Sequence, residues 1–430
     1  MRTFHARDSL RFSLKDGFCW SLMTGFTDSY YLPFAIFLGA GVLEQGFLKA
    51  FPVLLGSFLL FFVDYLLRRW KNRRKIVLLA IYMQAFVLLA ASACAFMRRD
   101  AGLYLLIAAI SIYIAAGLMG LPAWSSLMAE YLPVRRRGGY IGWRESLLGV
   151  ALVFFGLVAG GILQLNSQNA GIGFAALLLA AAVARFGSVY YVAQMYEPPY
   201  REDKREDVDY FDFISGEAKG NIWRFAAGCS VLMAFTFVSA PFFSVYMLER
   251  LNFNYWQYTA VIMSGQLTTY AFSGFWGRMA DEHGSRNVMA VTAVVLPVVP
   301  LLWALFTDWY FLCLVEFIAG VSWAAYARGV SNFMYDSAAP SLRTKYLAFF
   351  GMTIGVAQFA GSIAGGLFYK HLPRFFPNAE PFVWLLIISM IGRMSAGFLF
   401  LKVKEPVNRS LGARGFLLKV FDLRSLLIQR

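Results

Sequence analysis

The sequence predicts an all-α membrane protein with twelve transmembrane helices in two homologous six-helix halves. Hydrophobic residues make up 59% of the 430 residues and charged residues only 15%, which is much more apolar than a soluble domain. Apolar segments of spanning length recur along the chain, and several short patterns of the first half return in the second. A dozen spans of about 20 residues each use most of the chain, so no large soluble domain fits.

Twelve segments are apolar and long enough to cross a bilayer. Since lipid offers no partner for backbone N–H and C=O groups, each span must be a closed helix or a barrel strand. Runs of this length without alternating polar residues are typical of helices. The predicted spans are 17–40, 46–67, 75–97, 102–128, 140–164, 171–195, 222–247, 256–279, 286–306, 309–333, 345–369 and 381–402.

The basic residues predict the orientation. Thirty of the 39 Lys and Arg residues fall in the two tails and in alternate loops on one side of the membrane, against six on the other side. Because cytoplasmic loops retain positive charge, we expect both termini to be cytoplasmic. The net charge is +14, but the basic residues are distributed according to this topology and do not form one patch. No nucleic-acid partner is therefore expected.

The longest polar stretch, residues 197–220, lies at the middle of the chain and is interpreted as a cytoplasmic linker. We therefore expect an N-terminal half at 1–196 and a C-terminal half at 221–405. The tail at 406–430 mixes apolar with basic residues and is predicted to be an amphipathic helix on the inner membrane surface.

Three patterns of the first half recur in the same order about 206 residues later. Together they indicate an internal duplication, an architecture found in transporters that rock one half against the other. In the first pattern, Glu130-x6-Arg137 recurs as Asp336-x6-Arg343. In the second, Gly156-x3-Gly160-Gly161 recurs as Gly361-x3-Gly365-Gly366. In the third, Arg185 stands twelve residues before Glu197, and Arg393 stands twelve residues before Glu405.

Residues 277–286, with the sequence GRMADEHGSR, end the eighth predicted span and begin the ninth. This segment resembles the G-x-x-x-D-R-x-G-R-R signature that the major facilitator superfamily carries between the second and third helices of a half. Glu282 and Ser285 stand where the family usually has basic residues. In the first half, Asp64 and the basic run to Lys75 remain of the signature, without its glycines.

The resemblance implies a gate at the cytoplasmic helix ends, where charged residues hold the two halves together until the inside opens. Partly exposed ion pairs contribute about 0–1 kcal/mol each, so a network of them can break in every cycle. The alternative is that these charges serve only topology and interfacial solvation. The expected gate residues are Asp64, Glu130, Arg137, Gly277, Asp281, Gly284, Arg286, Asp336 and Arg343.

The ionisable residues Asp28, Arg185, Glu316, Arg328 and Arg393 fall inside predicted spans. A charge that faces lipid at the bilayer centre costs about 2.5–3.5 kcal/mol or more, so each is expected to face the bundle interior. The resemblance implies that helices 1, 4, 7 and 10 line the cavity, which makes Asp28, Glu316 and Arg328 the cavity candidates. A carboxyl at that depth can bind and release a proton as access alternates; a buried polar pair is the alternative.

Arg185 and Arg393 occupy equivalent places on helices 6 and 12 and are interpreted as structural charges, together with Glu197 and Glu405. Aromatic and polar residues near the cavity helices are candidates for the substrate site, with packing or an interfacial aromatic belt as the alternative. These candidates are Tyr30, Tyr31, Trp124, Gln266, Tyr270, Trp323, Asn332 and Gln358.

These features favour a secondary active transporter of a small organic solute that works by alternating access, either coupled to protons or as a facilitator. The alternatives are a flippase for lipids or lipid-linked precursors, and a non-transporting sensor or assembly partner. No HExxH or GxSxG motif occurs, so no enzyme is expected. The four cysteines lie in apolar runs and the three histidines are far apart, so neither a disulfide nor a metal or cofactor is expected. We expect a monomer in the bacterial cytoplasmic membrane, with the solute, protons and the bilayer as partners.

Overall fold

The structure is a computed structural model that describes residues 2–132, 134–199, 220–337, 343–375 and 380–405. Within these ranges, the side chains of residues 2–5, 64, 134–138, 343–345, 375 and 401 are outside the description. Nearly all of the predicted linker at 197–220 and the whole tail at 406–430 also lie outside the described residues.

The described part of the chain forms twelve long helices and contains no strand, which confirms the predicted all-α fold. Two of them are interrupted. The helices are α1 (Arg2–Thr27 and Tyr31–Phe37), α2 (Val42–Trp70), α3 (Arg73–Ser92), α4 (Arg99–Tyr131), α5 (Val134–Leu165), α6 (Ala170–Ala193), α7 (Gly220–Ser239, continued to Arg250 by short 3₁₀ and π-helical turns), α8 (Tyr255–His283), α9 (Ser285–Leu305), α10 (Trp309–Ser337), α11 (Arg343–Phe375) and α12 (Pro381–Leu401).

Among the described residues, ten of these helices are long and apolar enough to cross a membrane. The two others are α1, which starts with a charged segment, and α8, which carries several hydroxyl and amide side chains in its middle. Such polarity is tolerated in a membrane-spanning bundle where the helix faces its interior rather than lipid.

The two halves repeat the same packing. In the first half, α1 packs on α5 and α6, and α4 packs on α2 and α3. In the second half, α7 packs on α11 and α12, and α10 packs on α8 and α9. Contacts between the halves are made chiefly by α2 with α11 and by α5 with α8. The predicted two-half arrangement is therefore confirmed by the helix contacts.

Small residues allow the helices of the two halves to approach closely. On α11, the Ser362 hydroxyl donates to the carbonyl oxygen of Gly46 on α2, at 2.7 Å. On α5, a Cβ atom at Gly160 would lie 2.2 Å from the Thr259 hydroxyl oxygen of α8. The second-half counterpart Gly365 instead faces the backbone of α7, with a Cβ position 2.2 Å from the Val238 carbonyl oxygen. The repeated glycines thus serve different helix pairs.

The first helix of each half is interrupted at an equivalent place. The helix α1 breaks at residues 28–30, shortly before Pro33, and α7 breaks after Ser239, just before Pro241. The two prolines are 208 residues apart. Proline lacks an N–H donor and disfavours the helical conformation of the residue before it. Both breaks free backbone groups near the middle of the bundle, where irregular backbone is tolerated if it lines a cavity.

Candidate functional site

A cavity of about 530 Å³ lies between the two halves, beside the breaks in α1 and α7. We call it the central cavity. Its volume is in the range of small-molecule sites, and its walls combine apolar with charged groups. The polar, charged and large aromatic residues among its lining are Asp28, Ser29, Lys49, Thr236, Phe243, Ser244, Tyr258, Gln266, Thr269, Tyr270, Trp303, Glu316, Trp323 and Arg393.

Asp28 lies in the break of α1 and exposes its side chain to the central cavity. The Tyr113 hydroxyl of α4 donates to its Oδ1 atom at 2.8 Å. Lys49 of α2 lines the same cavity, with its ammonium 5.6 Å from the centre of the Tyr31 ring. Among the described residues, no cation lies within 4.0 Å of the Asp28 carboxylate. The carboxyl is therefore open to a proton or to a ligand group from the cavity.

Glu316 of α10 is the second carboxylate of the central cavity. The Trp303 indole of α9 donates to its Oε1 atom at 3.0 Å. Arg393 of α12 lines the same cavity and is only 3% exposed. Its Nη1 atom donates to the Leu296 carbonyl at 3.1 Å, and its Nε atom has no hydrogen-bond partner among the described residues. The second-half wall therefore presents a carboxylate and a guanidinium in one cavity.

Residues at the α1 break connect the central cavity to the interface between the halves. The Tyr258 hydroxyl of α8 donates to the Ser29 carbonyl oxygen at 2.7 Å, and the Gln266 amide donates to the Ser29 hydroxyl at 3.3 Å. Ser29 belongs to the first half and α8 to the second. A movement of one half against the other would change the geometry of the cavity wall at these hydrogen bonds.

Three of the predicted substrate-lining residues, Gln266, Tyr270 and Trp323, line the central cavity. Five others lie elsewhere: Tyr30 and Tyr31 line a small apolar pocket within the first half, Trp124 lines a separate cavity, Asn332 bonds to Asp281, and Gln358 donates to the Met233 sulfur. The sequence placed all eight on spans near the predicted cavity but not on a particular helix face.

Arg328 is not among the residues that line the central cavity. Its Nη2 atom lies 2.5 Å from the Glu145 Oε2 atom of α5, and its Nε atom donates to the Ser273 hydroxyl at 2.6 Å. The ion pair joins the two halves nearer the end of the bundle at which α1 begins and α12 ends, which we call the basic end. Glu145 has no distinguishing signal in the sequence, because it adjoins Arg144 near the start of the fifth predicted span.

Two predicted structural charges bind the starts of equivalent helices. The Glu197 carboxylate accepts from the backbone N–H groups of Arg73 and Arg74, and Glu405 accepts from those of Ser285 and Arg286, at 2.8–3.3 Å. A carboxylate is favourable there because the first N–H groups of a helix have no partner inside it. Because α3 and α9 are counterparts in the two halves, the internal duplication extends to these side-chain contacts.

Arg73, which was not singled out from the sequence, connects two of the predicted acids. Its buried guanidinium lies 3.1 Å from Glu130 and 3.2 Å from Glu197. Arg73 and Glu130 belong to the first half and Glu197 follows it directly, so this cluster joins helix ends of one half. The described contacts at Glu130 therefore differ from the gate that the sequence resemblance implied, which would connect the two halves.

The signature segment lies at the junction of α8 and α9. Asp281 accepts from the Asn332 amide of α10 at 2.7 Å, a contact within the second half. Gly284 has φ +91° and a Cβ atom there would meet the Glu405 carboxylate, which is why this turn suits glycine. Gly277 lies beside Arg328, while Arg286 and Asp336 also have interaction partners. The side chains of Asp64, Arg137 and Arg343 are outside the described residues.

A buried charge cluster lies inside the first half. Asp16 of α1 and Arg185 of α6 are 3.6 Å apart, and the Arg185 Nε atom donates to Gln84 at 2.9 Å. Asp16 lies just outside the first predicted span, which starts at residue 17, whereas α1 begins at Arg2. Arg185 is thus paired with a carboxylate, while Arg393 lines the central cavity.

The comparisons with known proteins agree with this geometry. The family model described as Major Facilitator Superfamily matches residues 17–268 and 225–429. No curated protein shows significant sequence similarity to the chain.

Several solved transporter structures are similar over nearly the whole chain. A mutant of the nucleoside transporter NupG has a TM-score of 0.69 and 13% identity, covering 93% of this chain and 100% of that chain. A D-xylose-proton symporter has a TM-score of 0.68 and 12% identity, with coverages of 95% and 99%. A bacterial homologue of the human lysosomal transporter Spinster, inward-facing and unoccupied, has a TM-score of 0.61 and 14% identity, with coverages of 94% and 98%. At these identities the likeness shows the fold.

Proposed function

Because the chain belongs to the Major Facilitator Superfamily, we propose that it is a secondary transporter that moves a small organic solute through the central cavity and couples this movement to proton binding at Asp28. One observation carries the proposal. A cavity between the halves, large enough for a small solute, is lined by polar and aromatic side chains and by the exposed Asp28 carboxyl, which has no ion-pair partner among the described residues. The solute would contact Gln266, Tyr270 and Trp323.

Contacts between the halves on both sides of the central cavity support alternating access. Nearer the basic end, the Arg328–Glu145 ion pair and the Ser57 hydroxyl bond to Gly351 cross the interface. Nearer the opposite end, which we call the distal end, the Ser362 bond to Gly46 crosses it. Each is a single polar contact of modest net free energy, about 0.5–1.5 kcal/mol for a typical hydrogen bond. The halves can therefore separate at one end while remaining in contact at the other.

Asp28 is favoured over Glu316 as the proton-binding group. Asp28 lies at the break of α1, next to Ser29, where the two halves meet through Tyr258 and Gln266. A change in the inter-half contacts would directly change its surroundings. Glu316 shares its wall of the cavity with Trp303 and Arg393, and all three belong to the second half. We assign Glu316 to solute binding.

The close approach of α2 to α11 and of α5 to α8 supports a solute carrier over a lipid flippase. A flippase on this scaffold would need an opening between helices toward the bilayer. Instead, Ser362 and Gly46 bond directly, and Gly160 contacts Thr259, in the described part of these interfaces. The positive charge of the loops at the basic end supports a cytoplasmic location for that end in a bacterial inner membrane.

The test is transport by the full chain in proteoliposomes, with a solute first identified by thermal-shift screening, since a ligand of the folded state raises its apparent stability. With the wild type we expect accumulation driven by an imposed pH gradient. The Asp28→Asn variant should lose this accumulation but keep solute counterflow, because exchange needs no net proton movement.

Asp8→Asn is the matched control, since Asp8 is an exposed carboxyl on the same helix. It should accumulate solute like the wild type. Uphill uptake that is unchanged in Asp28→Asn would disprove the coupling role, and loss of counterflow as well would show that Asp28 is needed for solute binding instead.

A further inference from the structure

We propose that the first half contains a second binding site, for an organic anion, inside a cavity separate from the central one. This cavity measures about 230 Å³ and is lined only by residues of α1, α3, α4, α5 and α6. We call it the first-half cavity. None of its lining residues is shared with the central cavity.

Three buried charges contribute to the first-half cavity: Arg144, Arg185 and Asp16, with 7%, 8% and 5% of their surface exposed. The three buried groups are thus one carboxylate and two guanidinium groups. Glu145 also lines the cavity, but its carboxylate is neutralised by Arg328 of the other half, at 2.5 Å. The cluster therefore carries a net positive charge in a low-dielectric environment, which is costly without a compensating anion.

Arg144 is the group that most directly indicates a ligand. Its Nη2 atom donates to the Ser13 carbonyl at 2.8 Å, whereas its Nε atom has no hydrogen-bond partner among the described residues. A buried donor without a partner costs about 1–3 kcal/mol, and more for a charged group. The guanidinium also lies 4.6 Å from the centre of the Trp124 ring, which fixes its plane beside the cavity. Water could satisfy the donor but would not neutralise the charge.

The fold does not impose this arrangement. Arg393 is the counterpart of Arg185 in the repeat, yet it lines the central cavity and has no carboxylate within 4.0 Å among the described residues. In the described part of the second half, no carboxylate pairs with Arg393 as Asp16 pairs with Arg185. The charge cluster is a particular feature of the first half, and a duplicated structural role does not explain it.

The walls define the chemical class of the ligand. The Arg144 guanidinium belongs to the cavity wall and matches a carboxylate, because its N–H groups form a planar fork. Trp20 and Trp124 line the same cavity and offer flat apolar surfaces to a ring system. We infer a compact aromatic or branched apolar carboxylate. Since Glu145 lies in this wall and also joins the two halves, the occupant would sit beside an inter-half contact.

The experiment measures binding of 2-naphthoate to the purified full chain by isothermal titration calorimetry, with neutral 2-naphthamide as the uncharged probe of the same shape. We expect saturable binding of the acid and at least tenfold weaker binding of the amide. Arg144→Gln should weaken 2-naphthoate binding at least tenfold, and Arg144→Lys, which keeps the charge, should restore part of it.

Three further variants separate this site from the central cavity and from a folding defect. Leu121→Trp should block binding by filling the first-half cavity while leaving every charge in place, since Leu121 lines the cavity and is 54% exposed. Asp28→Asn and Glu316→Gln alter only the central cavity and should bind 2-naphthoate like the wild type. These binding measurements do not depend on transport activity, so their outcome is unaffected if the proposed transport function is wrong.

The proposal is overturned if 2-naphthoate does not bind, if the amide binds equally well, or if Arg144→Gln binds 2-naphthoate as tightly as the wild type. Proteoliposomes then distinguish the two sources of such an anion. Uptake of radiolabelled 2-naphthoate would show that the ligand is itself carried; inhibition of solute counterflow without uptake would show a separate effector. Either effect is assigned to the first-half cavity if Leu121→Trp abolishes it, and its persistence in Leu121→Trp would contradict the site.

Discussion

Arg185 and Arg393 occupy equivalent positions 208 residues apart. Of these two arginines, Arg185 has a carboxylate within ion-pair distance, namely Asp16 at 3.6 Å, whereas Arg393 has none among the described residues. Both arginines are at least nine-tenths buried. Their other contacts keep the symmetry of the repeat, since Arg185 donates to Gln84 of α3 and Arg393 donates to Leu296 of the corresponding helix α9. The duplicated backbone thus supports two different electrostatic environments.

The first prediction concerns stability. Asp16→Asn should lower the thermal unfolding midpoint, because removing one partner of a buried ion pair leaves the other charge uncompensated, at a cost of about 3–5 kcal/mol. Differential scanning fluorimetry of the detergent-solubilised protein measures this. Asp8→Asn, which affects an exposed pair with Arg11 at 3.8 Å, should have almost no effect. Equal midpoints for the two variants would show that Asp16 does not compensate Arg185.

The second prediction concerns the pair Glu145 and Arg328. Their side chains are 40% and 33% exposed, so solvent screening limits the pair to about 0.2–1 kcal/mol. Glu145→Gln should therefore favour separation of the halves at the basic end only modestly, by about fivefold at most. A cysteine at Gln266, in a chain without its four native cysteines, reports this as faster labelling by an impermeant maleimide from the basic end.

The charge-swapped double variant Glu145→Arg with Arg328→Glu is the control for this second prediction. It should return the labelling rate toward the wild-type value, because the ion pair can form in reverse. Labelling that stays fast in the swapped variant would mean that the residues act through packing or through the Ser273 hydrogen bond rather than through their mutual attraction.

The third prediction compares the two helix-capping carboxylates. Glu405→Gln should reduce stability by about 0.5–2 kcal/mol, since α9 loses a charged acceptor at its first N–H groups. Glu197→Gln should cost more, because the same carboxylate also faces the guanidinium of Arg73, which is 4% exposed. Thermal unfolding midpoints of the two variants test the order. A larger loss for Glu405→Gln would contradict the assigned role of Arg73.

The fold could be predicted from the sequence because apolar length and positional repeats both survive without knowledge of any contact. The order of the three patterns was enough to divide the chain into halves, which the packing of α1–α6 and α7–α12 repeats. What the repeat could not show is which helix a glycine meets. Gly160 contacts Thr259 across the halves, but Gly365 contacts Val238 within one half, although the two occupy the same motif position.

The site was predictable in part. Asp28 and Glu316 were found because a carboxyl inside an apolar run is costly, and both line the central cavity. Arg328 was found for the same reason, but its depth along α10 does not tell which face it takes or that Glu145 lies opposite. Asp16 gives no such signal, because it follows Lys15 at the edge of an apolar run, where a charge costs little if the helix begins after it.

The last prediction tests the close helix contacts with two glycines of the repeated motif. At Gly361 a Cβ atom would lie 2.0 Å from the Ala234 carbonyl oxygen of α7, and backbone cannot move aside as a side chain can. Gly361→Ala should therefore force α11 away from α7, at a cost of about 1–3 kcal/mol for overpacking. At Gly161 nothing lies within 4 Å of the Cβ position, so Gly161→Ala should be neutral or stabilising by up to about 1 kcal/mol from helix propensity. Thermal unfolding midpoints measure both changes. If Gly161→Ala destabilised the protein as much as Gly361→Ala, the close approach of α11 to α7 would not explain the need for glycine at position 361.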